Sequence, residues 1–125
     1  MGESRYKKMI VWQKAMLLTE KVYELTKRLP SSEANNLLTQ MRRSAVSIPS
    51  NIAEGQYRFS STQNRQFLKI AYGSCAELET QIVLTISLGY FKQNDVGQVC
   101  GLCEEIMMML NALIRRRTSH LNSHL

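Results

Sequence analysis

The chain predicts an all-α fold, an up-and-down antiparallel four-helix bundle, and three observations carry that prediction. Four stretches place apolar residues in steps of three and four, the spacing that lines one face of a helix. Short turn-forming segments separate them, at Pro30, after Gly55 and after Gly89. No run alternates with the period of two that marks a strand. The 125 residues fit a single domain spanning the whole chain, with a core over about residues 9–117, and suffice to bury roughly two thirds of the unfolded surface.

The first helix is expected over residues 9–28. Val11, Ala15, Leu18, Val22, Leu25 and Leu29 alternate by four and three, while Lys14, Lys21, Glu24 and Lys27 occupy other faces. Trp12 lies beside this seam, where an indole packs on the edge of a core with its N–H toward water, ahead of any role in stacking on a base. Leu29 precedes Pro30, which disfavours helical backbone, and Ser31 and Ser32 suit the next N-cap.

The second helix is expected over residues 34–54, with Leu38, Met41, Ala45, Ile48 and Ile52 inward. Pro49 falls inside that pattern. Its missing N–H frees the carbonyl of Ala45, so the helix should kink there, or end near Ser47 and restart. Ser47, Ser50 and Asn51 are expected to satisfy the kinked backbone, making the Pro49 segment structural, while Arg42 and Arg43 suit either that task or a partner. Gly55 is a candidate C-cap.

A third helix should start at Ser61, with Ser60 and Gln63 in capping-box spacing. Leu68, Ala71, Cys75, Leu78, Ile82 and Ile86 form its seam, and Gly89 should end it in a Schellman turn with Tyr90 folding back on Leu84. Gly73, Ser74 and Ala76 allow close approach of a neighbour. Of Glu77 and Glu79, one is expected in solvent and the other paired with an arginine. The fourth helix should start near Asn94 or Asp95, both good caps. Val96, Val99, Cys103, Ile106, Leu110 and Leu113 point inward, and Met107, Met108 and Met109 widen the apolar surface, suiting self-association or gap filling. Arg115, Arg116 and Arg117 complement the C-terminal dipole, and residues 118–125 read as a frayed tail, as do the first basic residues.

A net charge of +6 and a pI near 9.5 favour an anionic partner, nucleic acid first and an anionic membrane surface second. The longest purely apolar runs are too short to span a bilayer, and residues 1–8 lack the apolar core of a secretory signal. Three cysteines, an odd number, fit a reducing cytoplasm.

Reactive constellations are scarce. Cys100 and Cys103 sit inside a helical pattern without a second pair, which makes them core cysteines rather than a redox or zinc site. His120 and His124 lack a third ligand, and no Gly-rich phosphate loop or Ser/His/Asp set is present. A non-enzymatic protein with no metal or cofactor is expected. What remains is cationic: Arg42, Arg43, Arg58, Arg65, Lys69, Arg115, Arg116 and Arg117 are the candidate nucleic-acid contacts. In an up-and-down bundle the end of the second helix, the start of the third and the end of the fourth share one end. Arg58, Arg65 and the terminal arginines would then form one basic surface with Tyr57 and Phe59 interleaved. The alternative is a solvated basic rim with both aromatics packing the bundle end.

The stretch Val11-Trp12-Gln13-Lys14-Ala15, the long motif from Gln40 to Gly55, the segment from Gly73 to Gln81, and Leu88-Gly89-Tyr90 resemble four-helix-bundle proteins encoded in 23S rRNA intervening sequences. The resemblance covers nearly the whole chain up to the C-terminal arginines. That family is similar in fold to the accessory variability determinant of diversity-generating retroelements, a basic homopentamer that binds nucleic acid and a reverse transcriptase. The resemblance implies a bacterial, cytoplasmic homo-oligomer, a pentamer, with no catalytic residues to carry over. It implies an accessory protein that binds structured nucleic acid, RNA ahead of DNA, through a basic surface multiplied by oligomerisation. The other reading is a scaffold recruiting a polymerase or a ribosome-associated protein. Asn35-Asn36 departs from the Tyr-Gly pair common in relatives, and the cysteine pair is particular to this chain.

Overall fold

A computed structural model describes residues 5–123, with side chains as far as Thr118. A 3-10 turn, Arg5–Lys8, leads into α1 (Ile10–Thr26), and a second turn, Ser31–Glu33, precedes α2 (Leu37–Gln56). The chain then forms α3 (Ser61–Ser87) and α4 (Gln93–Ser123), with no strand among the described residues. Helix α1 packs on α2 and α4, and α3 packs on the same two, without diagonal contacts among the described residues. This is the closed ring of neighbours of an up-and-down four-helix bundle.

The core is built from the predicted seams. Leu18, Val22, Met41, Ala45, Ile48, Ile52, Leu68, Cys75, Leu78, Val96, Cys103, Ile106 and Leu110 are fully buried in one cluster. Leu38, Ile86 and Leu113, at the seam ends, are half-buried against it. By length and composition α4 over Gln93–Thr118 is long and apolar enough to cross a membrane, but it spends Val96, Val99, Cys103, Ile106 and Leu110 on this core.

Helix α2 does not stop at Ser47; it continues through Pro49 to Gln56. The carbonyl that Pro49 leaves without an amide partner, Ala45 O, lies 3.1 Å from the Thr19 hydroxyl of α1, which also reaches Ala15 O at 2.8 Å. Thr19 thus shares its one proton between the two carbonyls and is the side chain that reaches the freed one, a role expected of Ser47, Ser50 and Asn51. Asn51 Nδ2 instead donates to Ser47 O at 2.7 Å and Ser47 Oγ at 2.9 Å, and Ser50 is exposed.

The helix ends show how the turns are closed. Ser60 Oγ accepts from Gln63 N–H, as its N-cap position predicts. At the other end of α3, Gly89 has φ +80, Gly89 N–H donates to Ile86 O and Tyr90 N–H to Thr85 O, the hydrogen-bond pair of a Schellman turn. Helix α2 starts at Leu37, three residues later than predicted, because residues 31–36 form turns. Glu33 lies at that start, with Oε1 3.4 Å from Leu37 N–H and Oε2 accepting from Tyr90 Oη at 2.7 Å. Helix α4 runs to Ser123, past the arginines where a frayed tail was expected.

Asp95 ties α4 to its neighbours: Oδ2 accepts from Lys92 N–H at 2.8 Å and Oδ1 from Arg28 Nη2 at 2.9 Å. The Lys92 amide foremost, with Arg28 beside it, holds this carboxyl below its ordinary value. A carboxyl lowered in the folded state adds stability above its unfolded pKa, and that contribution is lost as pH falls through the folded pKa. Asp95 should therefore contribute to a loss of stability below about pH 4. Urea denaturation of Asp95→Asn should show a shallower loss of stability than the parent as pH falls below about 4.

Candidate nucleic-acid interface

The C-terminal end of α2, the N-terminal end of α3 and the C-terminal end of α4 meet at one end of the bundle, joined by a chain of hydrogen bonds. Asn64, buried in the first turns of α3, donates from Nδ2 to Gly55 O at 2.7 Å. Its Oδ1 accepts from Arg117 Nε at 2.7 Å. One amide therefore links three helices and fixes a guanidinium at the rim. Gly55 makes this possible, because a Cβ there would meet Phe67 Cβ at 3.1 Å, Asn64 Nδ2 at 3.2 Å and Asn64 O at 3.3 Å. Gly55 thus serves close packing inside α2, and the predicted cap lies beyond it at Tyr57.

The other arginines of this end are held in different ways. Arg58 pairs with Glu54 one turn back and lies 4.6 Å from the Phe67 ring centroid. Arg65 donates from Nη1 to Thr118 Oγ1 at 3.2 Å, bridging α3 to α4, while its buried Nε has no partner among the described residues. Arg115 and Arg116 are exposed, and Arg116 stands beside an apolar depression lined by Met9, Ile10, Val11, Met109 and Leu113. Lys69 is exposed one turn below Arg65 on α3.

Between these elements lies a polar depression of about 160 Å³, lined by Arg5, Arg58 and Arg117 with Gln56, Phe59, Ser60, Ser61 and Asn64. None of its lining residues is acidic among the described residues. Gln56 Nε2, at its border, is a buried donor without a partner among the described residues. Phe59 is fully exposed, so it does not pack the bundle end. Tyr57 stands 6.0 Å from Tyr6, which meets Trp12 edge-on at 5.2 Å, so these three aromatics form a short row beside the basic end. Trp12 is half-buried at the core edge.

The predicted cations thus divide. Arg58, Arg65 and Arg117 are brought together, with Arg115, Arg116 and Lys69 nearby. Arg42 and Arg43 are not, lying about 20 Å along α2 from Gly55. Arg42 is turned onto α1: its Nε donates to Thr26 Oγ1 at 2.9 Å, its Nη2 to Tyr23 O at 3.3 Å, and its guanidinium covers the Tyr23 ring at 4.4 Å. It satisfies a carbonyl of the last turn of α1, where a cation also complements the dipole. Arg43 is exposed. Arg5 is the residue that sequence reasoning missed. The signal for it was the topology, because a chain entering α1 starts at the end where α2 stops.

Between α2 and α3 runs a polar seam. Asn51 Nδ2 donates to Ser47 Oγ, the Ser47 and Ser74 hydroxyls are 2.8 Å apart, and Ser74 Oγ donates to Ile70 O at 3.0 Å. Each hydroxyl has one proton, so the direction is set: Asn51 to Ser47 to Ser74 to the Ile70 carbonyl. Ser44 Oγ donates to Glu77 Oε1 at 3.0 Å, and neither the exposed Glu77 nor the half-buried Glu79 pairs with an arginine among the described residues, as one of them was expected to. This seam uses its own donors and acceptors and holds helices together.

Hydrogen bonding with Cys75 and burial push the Cys103 thiol up, and burial does the same for Cys100, both away from a reactive thiolate. No three metal-ligating side chains cluster among the described residues. His120 and His124 lie outside the residues whose side chains are described.

The family model for the 23S rRNA-intervening sequence protein matches residues 7–112. No match was found among curated proteins. Among solved structures, the chain is similar to a protein of unknown function from the S23 ribosomal protein family of Bacteroides thetaiotaomicron. The two share 25% identity with a TM-score of 0.77, over 84% of this chain and 98% of that one. The matched span takes in α1, α2, α3 and most of α4, including the Pro49 segment and the Gly55–Asn64 contact, and the chain belongs to the 23S rRNA-intervening sequence protein family.

Proposed function

We propose that the protein is a non-enzymatic, cytoplasmic accessory protein that binds structured nucleic acid, RNA in preference to DNA, as a basic homo-oligomer. The observation that carries this reading is the gathering of Arg5, Arg58, Arg65, Arg115, Arg116 and Arg117 at one bundle end, beside a fully exposed Phe59. Guanidinium groups suit phosphate contacts, and an exposed ring suits stacking on an unpaired base. Repetition of this end around an oligomer axis raises avidity without new contacts, and the pentameric state is proposed from the family resemblance alone.

The test is fluorescence-anisotropy titration of a structured RNA and its DNA counterpart at rising salt. Affinity should fall steeply, because each neutralised phosphate releases counterions. The triple variant Lys69→Ala, Arg115→Ala, Arg116→Ala removes exposed cations and should make the slope of log K against log salt shallower by about two to three. Binding absent at low salt, or indifferent to salt, overturns the proposal. The scaffold reading draws support from the exposed apolar side chains of α3, Ile70, Val83 and Leu84, and of Leu88 just past its end. A partner retained after nuclease treatment and moderate salt would favour it.

A further inference from the structure

We infer that the depression bounded by Arg5, Arg58 and Arg117 is a receptor for a terminal phosphomonoester of a nucleic-acid strand, with Phe59 stacking on the nucleobase next to it. The inference rests on the nucleic-acid reading above and sharpens it from a basic surface to the recognition of a strand end.

The charge balance carries the argument. An internal phosphodiester bears one negative charge, and along a surface one lysine or arginine matches each. A terminal phosphomonoester approaches two at neutral pH, its second pKa being about 6. Here Arg5, Arg58 and Arg117 line a single depression with no acidic residue in its wall among the described residues. Glu54, outside the wall, engages Arg58, which leaves a cationic excess suited to a dianion.

The donors are also held for use. Arg117 gives its Nε to Asn64, itself anchored on Gly55 O, so its stem is fixed and its Nη groups have no partner among the described residues. Gln56 Nε2 supplies a further buried donor with no partner among the described residues. At the start of α3, Ser60 Oγ already takes the Gln63 amide. Phe59 is fully exposed in the same wall, within one residue of Arg58, where a planar base following the phosphate would cover it.

The test compares one single-stranded RNA of about ten nucleotides in three forms: 5′-phosphate, 3′-phosphate and hydroxyl at both ends. One phosphorylated form should bind about tenfold more tightly than the hydroxyl form, and which one does so identifies the end recognised. The preference should be larger at pH 7.5 than at pH 5.5, across the second ionisation of the phosphate. Arg5→Gln, a substitution on the exposed turn before α1, should narrow the gap without lowering stability, and Phe59→Ala should weaken both phosphorylated and hydroxyl forms. Equal, salt-sensitive binding of all three forms overturns the terminal-phosphate receptor and leaves the nucleic-acid reading standing. Failure of every form, and of structured RNA, to bind at low salt overturns both.

Discussion

Asn64→Ala should lower the folding free energy by about 2 kcal/mol in urea denaturation, a large effect for one amide near the protein surface. The substitution removes the shorter of the two donors to Gly55 O, leaving it the Arg58 N–H at 3.3 Å, and strips Arg117 Nε of its acceptor. An unsatisfied buried group costs about 1–3 kcal/mol, and a hydrogen bond to a charged group is worth about 1.5–3 kcal/mol, with the open depression admitting water to offset part of both. Because both losses pass through one side chain, Arg117→Ala added to Asn64→Ala should cost less than its effect alone. Additive losses in that double-mutant cycle would show that Asn64 does not position Arg117.

Thr19→Val should cost about 1–3 kcal/mol, through the carbonyl of a residue it never meets in sequence. The hydroxyl lies 3.1 Å from Ala45 O, which Pro49 deprives of its amide, and Ala45 is fully buried. The shared contact with Ala15 O is dispensable, since that carbonyl has its own place in the α1 ladder. In a Pro49→Ala background the new amide can donate to Ala45 O, and Thr19→Val should then cost less than about 1 kcal/mol. Equal costs in the two backgrounds would refute the compensation.

What was legible in the chain follows from which forces act locally. The apolar seams of all four helices lie in the core or against it, because a spacing of three and four leaves little freedom about which face turns inward. Ser60 and Gly89 were legible as ends for the same reason: capping and positive φ are decided within a few residues. Thr19 was not, since its role depends on which turn of α1 stands level with Pro49. Arg42 looked like a surface cation until α1 presented Thr26 and Tyr23 O to it. The bond between Arg65 and Thr118 is likewise tertiary, so residues after Arg117 read as a tail although α4 continues through them. At the candidate site, the shared end of Arg58, Arg65 and Arg117 follows from helix order alone, whereas Asn64 and Gly55 needed atomic distances.

The polar contacts between α2 and α3 act as a ruler. Ser44 meets Glu77, Ser47 meets Ser74, and Gly55 meets Asn64, so each step down one helix is matched by a similar step up its antiparallel neighbour. An apolar seam of leucine, isoleucine and alanine tolerates axial sliding by whole turns, because one aliphatic side chain can replace another in the same hole. Hydrogen-bonded rungs do not: a slip of one turn would separate every pair at once and strand their donors and acceptors. The serines and asparagine of this interface therefore select one alignment from several that the hydrophobic surface alone would accept. That alignment brings the last turn of α2 level with the first of α3, so the placement of the arginines at the bundle end is determined midway along the helices.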